Sequence, residues 1–227
     1  MLKSLQVNRQ HLIVFTRYPE PGKTKTRLIP TLGGVGAADL QRRMTEHTLM
    51  QVKELQTKVR VSSEVRFVGG NLQLMQEWLG FDLVYQSQGE GDLGLRMARS
   101  LNDAFQNHAE QVVIIGTDCP GANSLILAQA FARMSSVDLV IGPAIDGGYY
   151  LIGLRRFISE LFVNIDWGTS QVLQQTVDIA TQLNISSMYL PILSDVDRPE
   201  DLLIWQRVWE TLPLKSYLRG DGDFGNG

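Results

Sequence analysis

The sequence predicts an α/β fold in which a largely parallel sheet is covered by helices on both faces. Short apolar runs rich in branched residues, typical of buried strands, alternate along the chain with longer segments whose apolar residues recur at helical spacing. The connections between these segments are short, and no internal repeat or low-complexity stretch interrupts their order. Parallel sheets with crossover helices are built from this alternation.

The first half of the chain contains four strand signals separated by helical ones. Branched apolar runs predict strands, and apolar residues every three or four positions predict helices. In chain order we expect a strand at Leu12–Phe15, a helix at Val35–Gln56, a strand at Val65–Val68, a helix at Leu72–Leu79, a strand at Asp82–Tyr85, a helix at Leu95–Phe105 and a strand at Gln111–Ile115. The last of these is the clearest strand, because VVII stands between polar residues.

The second half continues the same alternation. In chain order we expect a helix at Ser124–Met134, strands at Asp138–Ile141 and Tyr149–Leu154, a helix at Val172–Leu183, a strand at Ser187–Leu190 and a helix at Pro199–Leu212. Thr169 or Ser170 is the expected N-cap of the helix at Val172. Parallel sheets bind ligands at the carboxyl ends of their strands, so the loops that follow the strands should be neighbours there.

Length and composition narrow the class of protein. With 227 residues, 44% hydrophobic and 20% charged, we expect a single domain with a core at about 10–212 and a flexible tail at 213–227. A pI near 5.6 without a basic stripe argues against binding to nucleic acid. No apolar run reaches the roughly 20 residues of a membrane span, and MLKSLQVNRQ lacks the apolar segment of a signal peptide. With one cysteine, Cys119, a cytoplasmic location is expected.

The loop after the first strand is basic although the chain is acidic. Arg17, Lys23, Lys25 and Arg27 against Glu20 give it a charge of +3, whereas the whole chain carries −3. Such a loop between a strand and a helix suggests a site for a di- or triphosphate, which exposed N–H groups and cations bind well. A solvated surface loop would have the same composition, and this loop alone does not decide between the two.

Two common phosphate motifs are absent from this loop. A Walker loop needs a glycine where Arg17 stands, and Gly33 and Gly34 come too late after the strand for a dinucleotide fingerprint. A P-loop kinase and a nicotinamide enzyme are therefore disfavoured.

Two acidic segments could provide ligands for a divalent cation. Asp118 ends the clearest strand, where a carboxylate could bind Mg²⁺ or Mn²⁺ together with phosphate, or could simply cap the next turn. Asp195 and Asp197 lie in SDVDRPEDL and could supply a second ligand opposite Asp118. The alternative is structural, because Asp197 and Glu200 have the spacing of a capping box.

Three glycine-containing turns are open to both a structural and a functional interpretation. Asp146-Gly147-Gly148-Tyr149 could be an ordinary hairpin or could let backbone approach a ligand closely. The turn at 89–94 could only connect two elements or could present helix N–H groups to a ligand. Trp167-Gly168-Thr169 could cover a pocket or could simply lead into a helix.

Six segments in a fixed order resemble one protein family. Spread over residues 12–202, they are LIVFTRYPEPGKTKTRL, GEGDLGLRM, IGTDCPG, DGGYYLIGL, IDWGTS and DVDRPEDL. They resemble the glycosyltransferase-like DUF2064 family, whose members are also called radical-SAM/selenodomain-associated transferase 1. The resemblance implies a GT-A fold of the nucleotide-diphospho-sugar transferase type, a three-layer α/β/α sandwich with a mostly parallel mixed sheet. Related enzymes include phospholactate guanylyltransferase and molybdenum-cofactor nucleotidyltransferases.

The resemblance also implies roles for individual residues. Nucleotide contacts would come from Phe15, Thr16, Arg17, Lys23, Lys25, Arg27, Gly94, Arg96 and Asp118. Asp118 and Asp197, with Asp195 beside them, would hold Mg²⁺ or Mn²⁺. The acceptor side would be lined by Asp146, Gly147, Tyr149 and Trp167. Lys25 and Arg27 would stabilise the phosphates during catalysis, and Asp146 would deprotonate the acceptor.

The resulting expectation is a metal-dependent transferase that uses a nucleotide-activated donor, most directly a glycosyltransferase acting on an unknown small acceptor. The first alternative is nucleotidyl transfer with release of pyrophosphate, because Asp118 is followed by Cys119-Pro120 where many glycosyltransferases of this fold carry Asp-x-Asp. The second alternative is a nucleotide-binding protein without turnover, because Arg198 replaces an expected threonine and Leu95 an expected acid. Without that threonine, Asp197 is predicted to be drawn into helix capping.

Overall fold

The computed structural model describes residues 9–211, and the predicted tail at 213–227 lies outside the described residues. Seven strands form one sheet: β1 (Gln10–Arg17), β2 (Ser62–Val68), β3 (Val84–Ser87), β4 (Gln111–Gly116), β5 (Leu139–Pro143), β6 (Tyr149–Leu154) and β7 (Ser187–Tyr189). Their order across the sheet is β3-β2-β1-β4-β6-β5-β7. Every predicted strand is therefore present.

Six α-helices connect and cover the strands. They are α1 (Ile29–Lys58), α2 (Leu72–Leu79), α3 (Leu93–Gln106), α4 (Ser124–Arg133), α5 (Val172–Gln182) and α6 (Leu202–Thr211). Short 3₁₀ turns lie at Thr26–Leu28, Ser159–Phe162 and Pro199–Asp201. None of the helices within residues 9–211 has both the length and the apolar composition that crossing a bilayer requires.

The sheet is mixed but mostly parallel, as the GT-A resemblance implied. Strand β1 runs parallel to β2 and β4, β2 to β3, and β5 to β7. Only β6 is reversed among these strands, and it pairs antiparallel with both β4 and β5. The amino end of β6 consequently lies at the edge where β1, β4 and β5 end.

Alternating side chains of the central strands enter two cores, one on each face of the sheet. On β1, Leu12 and Val14 pack with α1, α2 and α4, whereas Ile13 and Phe15 pack with α3 and α5. Because both faces bury apolar residues, the strands read as continuous hydrophobic runs rather than alternating ones. The three layers predicted from the sequence are thus confirmed.

A third, smaller core lies beside the carboxyl edge of the sheet. Its buried members are Leu28, Ala37, Leu40, Met44, Val196 and Trp205. Leu28 ends the basic loop, and Val196 belongs to the acidic segment before α6. Packing these two residues together joins segments that are far apart in sequence.

One local prediction is incomplete and one is wrong. The segment Ile29–Lys58 is helical on both sides of a break at Gly33, whose φ is 69° and ψ 167°, so the long helix begins close to Val35 as predicted, but the helical turn before the break, which contains Pro30, was not predicted. Proline suits a first turn because its missing N–H would have no partner there anyway. The N-cap of α5 is Gln171, whose side chain makes no capping bond, whereas the hydroxyl of Thr169 donates to the carbonyl of Asp166.

Candidate active site

A cleft of about 1060 Å³ opens at the carboxyl edge of the sheet. Of the residues singled out in the sequence, it is lined by Phe15, Thr16, Arg17, Lys23, Lys25, Arg27, Arg96, Asp118, Asp146, Tyr149, Trp167, Asp195 and Asp197. Gly94 and Gly147 lie in its wall, against Trp167 and Ser170 respectively. The topology therefore gathers the predicted residues in one place, while their individual roles stay predictions.

Lys25 is the central cation of the cleft. Its backbone adopts the left-handed conformation, with φ 49° and ψ 45°, and its side chain is only 4% exposed. The Nζ donates to Oδ1 of Asp118 at 2.7 Å and to the carbonyl of Val196 at 2.6 Å. One buried ammonium thus links the end of β4 to the segment before α6.

A second ion pair lies beside the first. The Nη1 of Arg27 donates to Oδ2 of Asp197 at 2.5 Å, and the arginine side chain is 64% exposed. Lys23 borders the same cleft, but its Nζ pairs with Glu20 at 2.7 Å on the surface. Of the three cations after Arg17, two are therefore directed to the candidate metal ligands.

The segment that carries Asp195 and Asp197 is tied to β4 through the residue between them. The N–H of Val196 donates to the carbonyl of Asp118 at 2.9 Å, and its side chain is fully buried. Because Val196 points into the small core, Asp195 and Asp197 are left on the cleft side.

Asp197 is not the capping residue that its spacing suggested. The carboxylate of Asp201 accepts hydrogen bonds from the N–H groups of Asp197, at 3.1 Å, and Arg198, at 2.7 Å. Asp201 therefore caps the 3₁₀ turn at Pro199, and the predicted box of Asp197 and Glu200 is wrong. The carboxylate of Asp197 is free to face Arg27 and the cleft.

The carboxylates of Asp118, Asp195 and Asp197 are the candidate ligands for a hard divalent cation. Burial raises the pKa of Asp195, and the negative charge of Asp146 raises it further, with smaller effects from Asp201 and Asp197. A bound Mg²⁺ or Mn²⁺ would relieve this crowding of negative charge, and carboxylate oxygens are the ligands that such ions prefer. Within residues 9–211, however, no three His, Cys, Asp or Glu side chains converge into a ready metal site.

Cys119 is a packing residue rather than a nucleophile. It is 4% exposed, and burial together with the nearby carboxylates of Asp195 and Asp118 raises the pKa of its thiol. A thiol that stays protonated is a poor nucleophile and a poor metal ligand.

Sequence reasoning missed Gln88, a buried residue that follows β3 and is 3% exposed. Its Nε2 donates to the carbonyls of Thr16 and Arg66, and its Oε1 accepts from Nη1 of Arg96 at 2.9 Å. Gln88 therefore holds Arg96 at the cleft wall. Burial lowers the pKa of Arg96, and the positive charge of Arg17 lowers it further.

A second polar group lies at the cleft floor, and of its members only Thr16 was predicted. The hydroxyls of Thr16 and Thr45 lie 2.8 Å apart, and Nε2 of Gln41 is within 3.2 Å of the hydroxyls of Thr45 and Thr117. The signal was available, because Gln41, Thr45 and Thr48 are polar residues at helical spacing on the core side of α1. Buried polar groups that satisfy one another hold neighbouring strands in one arrangement.

Two turns, one carrying Asp146 and the other Trp167, form another wall of the cleft. The N–H of Gly148 donates to Oδ1 of Asp146 at 2.9 Å. Gly147 has a φ of 89°, and a Cβ there would lie 2.3 Å from the carbonyl oxygen of Ser170, so only glycine fits. The rings of Tyr149 and Trp167 meet edge to face, with centroids 6.3 Å apart.

The family follows from comparison with known proteins. The model of the DUF2064 family, described as an uncharacterized protein conserved in bacteria, matches residues 51–169. A crystal structure from Desulfovibrio desulfuricans G20, provisionally assigned as a nucleotide-diphospho-sugar transferase, is 31% identical. It superposes with a TM-score of 0.84 over 92% of this chain and 91% of that chain. The chain belongs to the DUF2064 family.

More distant structures share the fold of this DUF2064 protein. A 4-diphosphocytidyl-2C-methyl-D-erythritol synthase from Anaerococcus prevotii is 10% identical, with a TM-score of 0.57 over 90% of this chain and 98% of that chain. Glucosyl-3-phosphoglycerate synthase from Mycobacterium tuberculosis, in complex with Mg²⁺ and uridine diphosphate, is 13% identical, with a TM-score of 0.52 over 86% and 74%. Comparison with curated proteins finds no significant match. The DUF2064 protein therefore has a GT-A-like fold that is shared by glycosyl- and nucleotidyltransferases.

Proposed function

We propose that this protein is a metal-dependent transferase with a nucleotide-activated donor, and that it transfers a glycosyl group from a nucleoside-diphosphate sugar to a small acceptor. The observation that carries the proposal is the pair of contacts Lys25–Asp118 and Arg27–Asp197 in one large cleft. Cations and carboxylates so close together suit a metal-bound diphosphate, which needs both. The provisional assignment of the 31% identical relative agrees with this choice of donor.

Lys25 and Arg27 would bind the diphosphate of the donor. When the glycosidic bond to the diphosphate breaks, negative charge grows on the leaving phosphate oxygens, and fixed cations nearby stabilise it. Asp118, Asp197 and Asp195 would hold Mg²⁺ or Mn²⁺, which when bound adds positive charge at the same oxygens. Lys25 is well placed for this role because its Nζ lies in the cleft and keeps one N–H donor beyond those that contact Asp118 and Val196.

Asp146 is the proposed base for the acceptor hydroxyl. One of its carboxylate oxygens is fixed by the N–H of Gly148, so the group is oriented before the acceptor arrives. Tyr149 and Trp167 would form an aromatic wall next to it, against which an acceptor could pack. Arg96, held by Gln88, and Arg17 would contact the nucleoside end of the donor.

Nucleotidyl transfer is the second candidate, and one observation favours it. The two proposed metal ligands come from separate segments, Asp118 after β4 and Asp197 before α6, while the buried Pro120 stands where many glycosyltransferases of this fold have the second acid of an Asp-x-Asp motif. In this reaction an acceptor phosphate attacks the α-phosphorus and pyrophosphate leaves. Lys25 and Arg27 would stabilise the pyrophosphate, and no protein base would be needed.

The test separates the reactions by their products. The protein is incubated with Mn²⁺ and either nucleoside triphosphates or nucleoside-diphosphate sugars, together with a pool of small phosphorylated and hydroxylated acceptors. Release of nucleoside diphosphate from the sugars supports glycosyl transfer, whereas acceptor-dependent pyrophosphate assigns nucleotidyl transfer instead. Nucleotide binding without any product would indicate a non-catalytic protein.

The matched variants are Asp118→Asn and Asp178→Asn. Asp178 lies on α5 and bonds to Gln174 on the helix surface, so its loss should leave turnover unchanged. We expect Asp118→Asn to lower turnover by roughly a hundredfold or more, the scale of losing a key electrostatic contact. Full metal-dependent nucleotide binding by Asp118→Asn would show that the first ligand is misassigned.

A further inference from the structure

We propose that Lys25 and Arg27 act as placeholder cations, which neutralise Asp118 and Asp197 until a polyphosphate draws them away, so that a divalent cation binds only together with the polyphosphate. The inference rests on the proposed nucleotide site. It goes beyond that site by assigning the order of binding and the two residues that impose it.

Lys25 already forms an ion pair with Asp118. Its Nζ contacts the carboxylate at 2.7 Å and the Val196 carbonyl at 2.6 Å, so two of its three N–H donors are used and one remains for a ligand. Asp118 itself is 58% exposed and has room on its cleft side. A metal ion at this carboxylate would face a positive charge within a few ångströms, which weakens its binding.

Arg27 forms a corresponding ion pair with Asp197. Its guanidinium lies 2.5 Å from the carboxylate, but the side chain is exposed and can swing without unfolding any element. Of the three candidate ligands only Asp195 makes no ion pair with the described residues. A single carboxylate provides too few of the roughly six oxygens that Mg²⁺ or Mn²⁺ requires.

A bound polyphosphate would instead favour binding of the metal ion. Its oxygens offer more negative charge to Lys25 and Arg27 than one carboxylate each, and they supply further oxygens to the metal. As the cations turn to phosphate, Asp118 and Asp197 become available as ligands. Metal and polyphosphate must then strengthen each other's binding by the same factor.

The experiment measures Mn²⁺ binding by electron paramagnetic resonance, in which free Mn²⁺ gives the signal. The wild-type protein is titrated with Mn²⁺ alone and then with inorganic pyrophosphate, GDP or UDP present. Protein-free samples at the same concentrations correct for Mn²⁺ held by the polyphosphate itself. We expect at least one polyphosphate to tighten Mn²⁺ binding to the protein by about tenfold or more, within the usual range of coupling between sites.

Variants assign the coupling to the two residues. Lys25→Met and Arg27→Met should bind Mn²⁺ alone several-fold more tightly than the wild type and should lose most of the coupling. Lys58→Met is the matched control, because it removes a lysine that pairs with Glu54 on α1 and does not line the cleft. Arg27 is exposed, so its variant remains informative even if Lys25→Met folds poorly.

The outcomes separate this inference from the proposed function. Equal Mn²⁺ affinity of the wild type with and without polyphosphate overturns the inference but leaves the metal site in place. Lys25→Met and Arg27→Met binding Mn²⁺ no more tightly than Lys58→Met also overturns it. If neither Mn²⁺ nor any of the three polyphosphates binds the wild type, the proposed function fails and the inference fails with it.

Discussion

Gly94 shows how closely single residues determine the wall of the cleft. A Cβ at this position would lie 2.3 Å from Nε1 of Trp167 and 2.5 Å from its Cε2, so the indole packs directly on the backbone of α3. Alanine at position 94 must therefore push Trp167 aside. We expect Gly94→Ala to lower the free energy of unfolding by about 1–3 kcal/mol, the usual cost of overpacking, and to shift tryptophan fluorescence.

Two further variants test whether Trp167 packs directly on Gly94. Gly116→Ala places its Cβ 3.9 Å from the nearest atom, so it should leave the fluorescence unchanged. Gly94→Ala should cost less stability in a Trp167→Ala background than in the wild type, because the clash is gone. An unaltered fluorescence spectrum and unfolding curve for Gly94→Ala would contradict the close packing.

At the residue scale the sequence indicated chemistry better than geometry. The basic loop and the acids at 118 and 197 stand out by charge, but no spacing shows that Lys25 pairs with Asp118 across 93 positions. The capping role of Asp201 was missed because Asp197 and Glu200 have the same spacing as Arg198 and Asp201. Gln88 was missed because a single glutamine after a strand carries no signal of burial.

At the scale of elements, β2 and α3 are joined by a buried ion network. Arg66 contacts Glu64 at 2.7 Å and Asp103 at 2.8 Å, and His11 lies 3.8 Å from Glu64. Burial alone would raise the pKa of Glu64, but the nearby His11 and the hydrogen bond and positive charge of Arg66 hold it below 4.5. The carboxylate therefore stabilises the fold above about pH 4.5, and this contribution is lost as the pH falls through the lowered pKa.

We expect Glu64→Gln to destabilise the protein at pH 7, with the difference from the wild type shrinking below pH 4.5. Removing one partner of a buried pair costs about 3–5 kcal/mol at most, and less here because Asp103 still pairs with Arg66. Denaturant unfolding at several pH values measures the difference. Asp103→Asn, at a more exposed site, should cost about 1 kcal/mol or less. A Glu64→Gln difference that is independent of pH would refute the assignment.

The small core between the basic loop and α6 gives a second prediction at this scale. Leu28→Ala should cost about 2–5 kcal/mol of stability and should also weaken nucleotide binding, because Leu28 and Val196 hold the two charged segments together. Leu101→Ala removes an equally buried leucine from the core under α3. Isothermal titration should show weaker nucleotide binding only for Leu28→Ala, and equal affinities would argue against a positioning role for this core.

Periodicity predicted every strand and helix but not their directions or some of their ends. The reversal of β6 is invisible because an antiparallel strand buried on both faces has the same apolar run as a parallel one. The helical turn at 29–32 was missed because Gly33 and Gly34 suggest a loop, and Gly33 does break the helix at that point. Element type is thus encoded locally, and strand direction depends on contacts between elements.

At the scale of the whole molecule, the proposed ligands should stabilise the fold by binding only its native state. Nucleotide with Mn²⁺ at a hundred times its dissociation constant adds about 2.7 kcal/mol, which corresponds to roughly 5–10 °C in melting temperature for a chain of this size. Differential scanning fluorimetry with GDP, UDP, CDP and ADP measures this shift. The Asp118→Asn variant should lose most of it, and no shift with any nucleotide and Mn²⁺ would contradict the proposed site.

The reversed strand β6 has a consequence for how such a protein could diversify. Because β6 starts at the cleft edge, the turn at 144–148 reaches the cleft without an intervening helix, and it rests on the segment at 163–171 through Gly147 and Ser170. The ion pairs and the small core belong to other parts of the chain. Selection, or a protein engineer, can therefore vary the residues around Asp146 in these two short segments to change acceptor preference, while Lys25 and Arg27 keep their contacts with Asp118 and Asp197.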